Sequence, residues 1–116
     1  MSTASCGATD NPNASDDAPA EGDNVTMRLI AYKPATLTIK AGTTVTWSQM
    51  DAGAHTVTSG TVEQGGAFVT EMPDGKFNSG DIATGKTFEF TFDEAGTYPY
   101  FCEIHPATMR GEVLVQ

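Results

Sequence analysis

Basic residues are scarce: six Lys and Arg stand against fifteen Asp and Glu in 116 residues, a formal net charge of −9. Binding nucleic-acid phosphate needs clustered Lys and Arg, so nucleic acid is excluded as a partner. The acidic balance suits solubility, or a partner with a basic surface. Cysteine is nearly absent, with only Cys6 and Cys102, which excludes a disulfide scaffold. No apolar run approaches the roughly 20 residues that span a bilayer as a helix. No segment carries a convincing apolar stripe at helical spacing, and no secretory h-region is present. Histidine occurs twice, as His55 and His105.

Charge and aromatics are unevenly placed. Residues 1–24 hold five acids (Asp10, Asp16, Asp17, Glu21, Asp23), no Lys or Arg and no aromatic residue. Such a small, polar, Pro-interrupted stretch cannot bury enough apolar surface to offset its ordering cost, so a disordered acidic tail is expected over 1–24. All ten aromatics fall in 25–116, with ten acids and six bases, a net charge of −4. One folded domain is expected there, within the common single-domain size.

Short alternating runs separated by turn residues build that domain. Thr43-Thr-Val-Thr-Trp47-Ser48 alternates polar and apolar, and Lys86-Thr-Phe-Glu-Phe-Thr-Phe-Asp93 places three Phe on one face. Val25, Met27 and Leu29, then Leu37 and Ile39, then Val113 and Val115 extend the period of two. Ala41-Gly42, Asp74-Gly75, Thr84-Gly85 and Ala95-Gly96 supply turn chemistry. Residues 59–82 are Gly-rich and weakly patterned, and are expected to form a long connection with at most one short strand or helical turn. The spacing predicts an all-β fold, a β-sandwich or barrel with Greek-key connections.

The chemistry gathers near the C-terminus, in Tyr98-Pro-Tyr-Phe-Cys102-Glu-Ile-His105-Pro-Ala-Thr-Met109-Arg-Gly111. A strand is expected to end at Cys102 and another to begin near Arg110, so one tight loop carries a thiol, an imidazole and a thioether. Thiolate and thioether are soft ligands, and imidazole suits copper. His55 lies 47 positions before Cys102, in Gly53-Ala-His55-Thr-Val57. Taken singly, a buried Cys, a hydrogen-bonded His and a gap-filling Met are ordinary core residues. Jointly, two His, one Cys and one Met are the ligand set of a trigonal copper site with a weak axial thioether.

From about Val25 to Gln116 the chain resembles the small blue copper proteins, cupredoxins of the plastocyanin, amicyanin and pseudoazurin group. The resemblance is carried by Ala41-Gly-Thr-Thr-Val-Thr-Trp47, His55-Thr-Val-Thr58, Gly96-Thr-Tyr-Pro-Tyr-Phe-Cys102-Glu-Ile-His105-Pro106 and Met109-Arg-Gly-Glu-Val113. It implies a cupredoxin β-sandwich and one copper ion, with His55, Cys102 and His105 as strong ligands and Met109 as the axial one. It also implies single-electron shuttling between redox partners through Cu(I) and Cu(II), with no catalysis, since four protein ligands leave no open position.

Two departures from the family pattern stand out. Pro106, Ala107 and Thr108 give three residues between His105 and Met109, where amicyanin-like loops have two and plastocyanin-like loops four; colour and potential stay open on this point. Thr56 follows His55 where many relatives carry an asparagine that ties the two ligand loops together. The expected exit for electrons is the His105 edge, ringed by Pro106, Ala107, Ala54 and Pro34. A copper carrier or store is the alternative reading, and a redox enzyme acting on a nitrogen oxide a more distant one. The expected partner is a basic cytochrome or an oxidoreductase, and the protein itself is expected to be a monomer. Thr3-Ala-Ser-Cys6 before an acidic stretch is similar to the end of a lipoprotein signal. A lipid on Cys6 would tether the domain to a membrane face. The resemblance implies a periplasmic or cell-surface place.

Overall fold

The computed structural model describes residues 20–21 and 23–116. Expectations for residues 1–19, the Cys6 tether among them, lie outside the described residues. Ten strands follow in chain order: β1 (Ala20–Glu21), β2 (Asn24–Met27), β3 (Tyr32–Lys33), β4 (Thr36–Ile39), β5 (Thr43–Gln49), β6 (Thr58–Gly65), β7 (Phe68–Asn78), β8 (Thr87–Phe92), β9 (Gly96–Phe101) and β10 (Arg110–Val115). No helix occurs among the described residues.

The strands form a six-stranded sheet in the order β1-β4-β10-β9-β6-β7 and a four-stranded one in the order β3-β2-β5-β8. Parallel pairs (β1 with β4, β4 with β10, β2 with β5) mix with antiparallel ones. The chain repeatedly leaves one sheet for the other, and the result is a Greek-key β-sandwich. β1 pairs Ala20 with Leu37 and Glu21 with Thr38, so backbone pairing reaches into the stretch that composition assigns to a tail.

Alternation decides which face is buried. Val45 and Trp47 on β5 are fully buried, as are Val25 and Met27 on β2, Leu37 on β4 and Val113 on β10. Trp47 is the centre of the core: its ring lies 5.5 Å from Tyr100 edge-on, 5.6 Å from Phe88, 6.0 Å from Phe77 and 6.3 Å from Phe92. Each such buried large side chain contributes about 1.5–3 kcal/mol by leaving water, and together they fix the spacing of the two sheets.

Leu29 departs from the alternation expected of it. The strand stops at Met27, and Leu29 turns outward, 74% exposed. Leu29 and Ile30 both take left-handed φ, 56° and 55°, in the turn between β2 and β3.

Residues 59–82 also differ from expectation, since most of this stretch is a long hairpin, β6 against β7. Beyond Gly60 nearly every residue on both strands is exposed or half-buried. With no buried face, no apolar period is required, and the pattern that reveals the other strands is missing. The backbone ladder from Gly60–Pro73 to Gly65–Phe68 holds it instead.

At the root of this hairpin the register slips, and residues 74–77 bulge opposite Ser59. The buried Ser59 hydroxyl fills the bulge: it donates to Asp74 Oδ1 (2.5 Å) and accepts from the Phe77 amide (2.8 Å). That turns Phe77 into the aromatic core. Burial raises the Asp74 carboxyl, but the Ser59 hydroxyl and the Lys76 amide outweigh it, and the net effect lowers its pKa. A carboxyl lowered by folding stabilises the fold above the ordinary range near pH 4 and stops doing so as acid protonates it in the folded chain. Asp74→Ala is therefore expected to cost about 1 kcal/mol at pH 7. The cost should shrink towards zero in acid, as urea unfolding at several pH values would show; a pH-independent cost would remove the carboxylate from the account.

Candidate metal centre

His55 enters from the connection between β5 and β6. Its backbone bridges Ile82 in both directions, 3.3 Å from its amide to the Ile82 carbonyl and 2.7 Å for the return bond. His55 as a whole is 1% exposed. Gln49, buried at the end of β5, braces the approach by donating to the carbonyls of Gly53 (2.6 Å) and Ile82 (3.0 Å). Tyr32 donates to the Thr56 carbonyl at 2.5 Å. Burial above all, with Cys102 and Tyr100 nearby, pushes the Tyr32 hydroxyl far up, so it stays a protonated donor beneath the loop.

Cys102 follows the last residue of β9 and is fully buried. The loop that begins there is wound on its own backbone. The His105 amide donates to the Cys102 carbonyl (3.2 Å), the Met109 amide to the His105 carbonyl (2.9 Å), and the Cys102 amide to the Met109 carbonyl (3.0 Å). Met109 is thus folded back beside Cys102, with no exposure. Arg110 clamps the outer side, donating from Nε to the Pro106 carbonyl (3.0 Å), and from its guanidinium to the Ala107 carbonyl (3.2 Å) and to Gln64 on β6 (3.0 Å).

The two loops meet at the sulfur. Cys102 Sγ lies 3.8 Å from His55 Nδ1, and the Thr56 amide points at the same sulfur from 3.4 Å. The His55 and His105 rings stand edge to face with centroids 5.3 Å apart. Thr56 ties the two loops together: its Oγ1 accepts from the Glu103 amide at 2.9 Å. Glu103 in turn accepts from Thr58 (2.7 Å) and Asn78 (2.8 Å), so the tie reaches both strands of the hairpin.

Far from Cys102, the His55 ring meets a carboxylate: Nε2 is 2.7 Å from Asp51 Oδ2. The Ile30 amide first, then the His55 imidazole, hold the Asp51 carboxyl down at about 2. An ionised carboxylate only accepts hydrogen bonds, so Nε2 carries the proton on that side of the ring, and Nδ1 is the ring nitrogen that faces Cys102.

His55 is therefore common to two close pairs, with Cys102 and with His105, while Met109 is fixed to Cys102 through the backbone. Among the described residues, no group of three or more His, Cys, Asp or Glu closes into a ready metal cage. The donor chemistry nonetheless fits copper: a buried thiol, an imidazole nitrogen facing it, a second imidazole and a buried thioether. His105 is the half-buried member, with Pro106 half-buried and Ile104 and Ala107 exposed on the same loop. Asp51, Arg110 and Glu103 escape sequence reasoning, because their partners are brought in by folding. The one signal for Asp51 is its position four residues before a histidine.

The model for "Copper binding proteins, plastocyanin/azurin family" matches residues 20–116. The chain belongs to that family. Amicyanin of Paracoccus versutus is 36% identical over 110 residues, covering 93% of this chain and 75% of that protein. Plastocyanin of Scenedesmus fuscus is 36% identical over 101 residues, covering 80% of this chain and all 100% of that one. Among solved structures, the purple cupredoxin from Nitrosopumilus maritimus superposes with a TM-score of 0.64 at 31% identity, over 82% of this chain and 100% of the other. The sandwich is thus a cupredoxin, and its cofactor is one copper ion. Membership puts the chain among copper electron-transfer proteins.

Proposed function

We propose that this cupredoxin is a mononuclear carrier of single electrons, held ready by His55, Cys102, His105 and Met109. The observation that carries the reading is the His55 Nδ1 turned on the buried Cys102 sulfur, 3.8 Å away, with the Thr56 amide aimed at that sulfur. When bound by these four side chains, copper supplies a one-electron couple between Cu(I) and Cu(II).

The residues around it do three things. The sandwich and the Gln49 and Tyr32 bonds hold His55 in one place, so the donors need little rearrangement between oxidation states. The Thr56 amide shares the charge on the sulfur, a contact that tunes the potential of such sites. Burial of Cys102, His55 and Met109 keeps water away, leaving the part-exposed His105 as the place where a partner comes closest. Four protein donors and no open position support a carrier and not an enzyme.

The partner that fits is a redox protein with a basic face, a cationic cytochrome or an oxidoreductase, because residues 25–116 carry a net charge of −4. The carrier acts as a monomer outside the cytoplasm, in a periplasm or at a cell surface. Residues 20–116 make the electron-carrying domain, with 1–19 as its acidic tether and Cys6 as the lipid anchor.

A visible spectrum of the copper-loaded protein, followed by a redox titration, tests the reading. An intense sulfur-to-copper band that bleaches and returns reversibly with one electron is expected, with transfer to a cationic cytochrome that slows as salt rises. Irreversible redox with ready surrender of copper to a chelator would instead make the protein a copper store.

A further inference from the structure

The turn between β2 and β3 is built against its own backbone preferences. Two consecutive residues with left-handed φ favour Asn-Gly, and side-chain-bearing residues there cost about 1–3 kcal/mol each. Here the pair is Leu29-Ile30, one of them β-branched, with φ of 56° and 55°. Both side chains are spent on solvent, 74% and 47% exposed, so core packing does not account for the choice. What the strained turn does is aim two backbone amides at one carboxylate. The Leu29 amide donates to Asp51 Oδ1 at 2.7 Å and the Ile30 amide to Asp51 Oδ2 at 2.8 Å. The carboxylate's remaining contact is His55 Nε2, at 2.7 Å. Asp51 is also fixed from behind, since its own amide donates to Gln49 Oε1 at 2.5 Å and its carbonyl accepts from the Thr84 hydroxyl.

We propose that Asp51 is the positioning residue of the copper centre: held by the Leu29–Ile30 turn, its carboxylate fixes the His55 tautomer and makes that ring a stronger donor. The inference rests on the ligand role given to His55 above. The physical ground is that an imidazole whose distal N–H faces a carboxylate is fixed in orientation and made more basic towards a metal. A negative charge beyond the ring favours the more positive oxidation state, so Asp51 holds Cu(II) more tightly relative to Cu(I). The four-residue spacing from Asp51 to His55 lets one short connection supply both the ligand and its carboxylate.

Two measurements on the full-length chain test this. In the metal-free protein, long-range nitrogen–proton NMR should show the His55 proton on Nε2. The same spectrum of Asp51→Asn should show the Nδ1-protonated form gaining population. In the copper-loaded protein, Asp51→Asn should weaken Cu(II) binding about 10- to 100-fold while keeping the sulfur-to-copper band. With Cu(II) losing tenfold more than Cu(I), the midpoint potential rises by about 59 mV for this one-electron couple. Asp51→Glu, which keeps the charge, should recover most of the affinity. A wild-type His55 protonated on Nδ1, or an Asp51→Asn protein with unchanged Cu(II) affinity and potential, would overturn the proposal. Failure of the ligand reading shows separately, as a missing sulfur-to-copper band in the wild type, and the metal-free tautomer still decides what Asp51 does to His55.

Discussion

Cys102→Ser is expected to abolish the intense visible absorption of the copper-loaded protein while leaving the sandwich folded. Cys102 is the only thiol among the described residues, it is fully buried, and its sulfur is where the His55 Nδ1 and the Thr56 amide converge. The strong colour of a copper–thiolate site comes from charge transfer out of sulfur, and an alcohol oxygen at the same position holds its electrons too tightly to give such a band. Serine is close to cysteine in size, so the loop bonds from the Cys102 amide and carbonyl persist and the metal-free proteins should unfold alike. Absorption spectra of both proteins at equal copper loading make the comparison. An intensely coloured Cys102→Ser protein would remove the thiol from the centre.

The second large effect is on stability. Gly60→Ala should cost roughly 3 to 5 kcal/mol and lower the thermal midpoint of the metal-free protein by about 15 °C or more. Gly60 sits where the β6–β7 register slips, with φ of 134°, a backbone conformation that side-chain-bearing residues rarely adopt. A Cβ there would also overlap the Met72 carbonyl oxygen and lie 2.7 Å from Pro73 Cα, so backbone would have to move. The displaced segment is the one that plants Phe77 against Trp47 and holds Ser59 on Asp74. Calorimetry of the two proteins measures the difference; a shift of less than a few degrees would mean that the bulge relaxes freely.

Much of the fold was legible because one face of most strands is buried. Leu37 and Ile39, Val45 and Trp47, and Val113 and Val115 alternate in the sequence and are buried in the structure. Where burial does not discriminate, the sequence is silent. The β6–β7 hairpin is exposed along most of both strands, and β1 takes part through backbone pairing in a stretch that reads as polar tail. Leu29 misleads for the converse reason: it keeps the apolar rhythm of β2 while serving a turn.

The candidate ligands were legible by chemical type, because cysteine and histidine occur only twice each in this chain and Cys102, His105 and Met109 crowd into one short span. Their supports were not. Asp51 meets Leu29 and Ile30 across 22 and 21 residues, and Arg110 reaches Gln64 across 46. No local pattern announces such contacts. Thr56 lies between: its place after His55 marks it, and only the folded chain shows its hydroxyl bound to the Glu103 amide.

The bond between the Cys102 amide and the Met109 carbonyl, 3.0 Å long, closes the loop at its two ends just where β9 and β10 begin to pair, at Phe101 and Arg110. Everything between those ends hangs outside the ladder. The sandwich therefore acts as a socket and residues 103–108 as an exchangeable insert. Lengthening or shortening that insert would change how Met109 and His105 are presented beside Cys102 without asking any strand to shift its register. A lineage built on this socket can vary residues 104–108 while the β9–β10 ladder keeps its pairing.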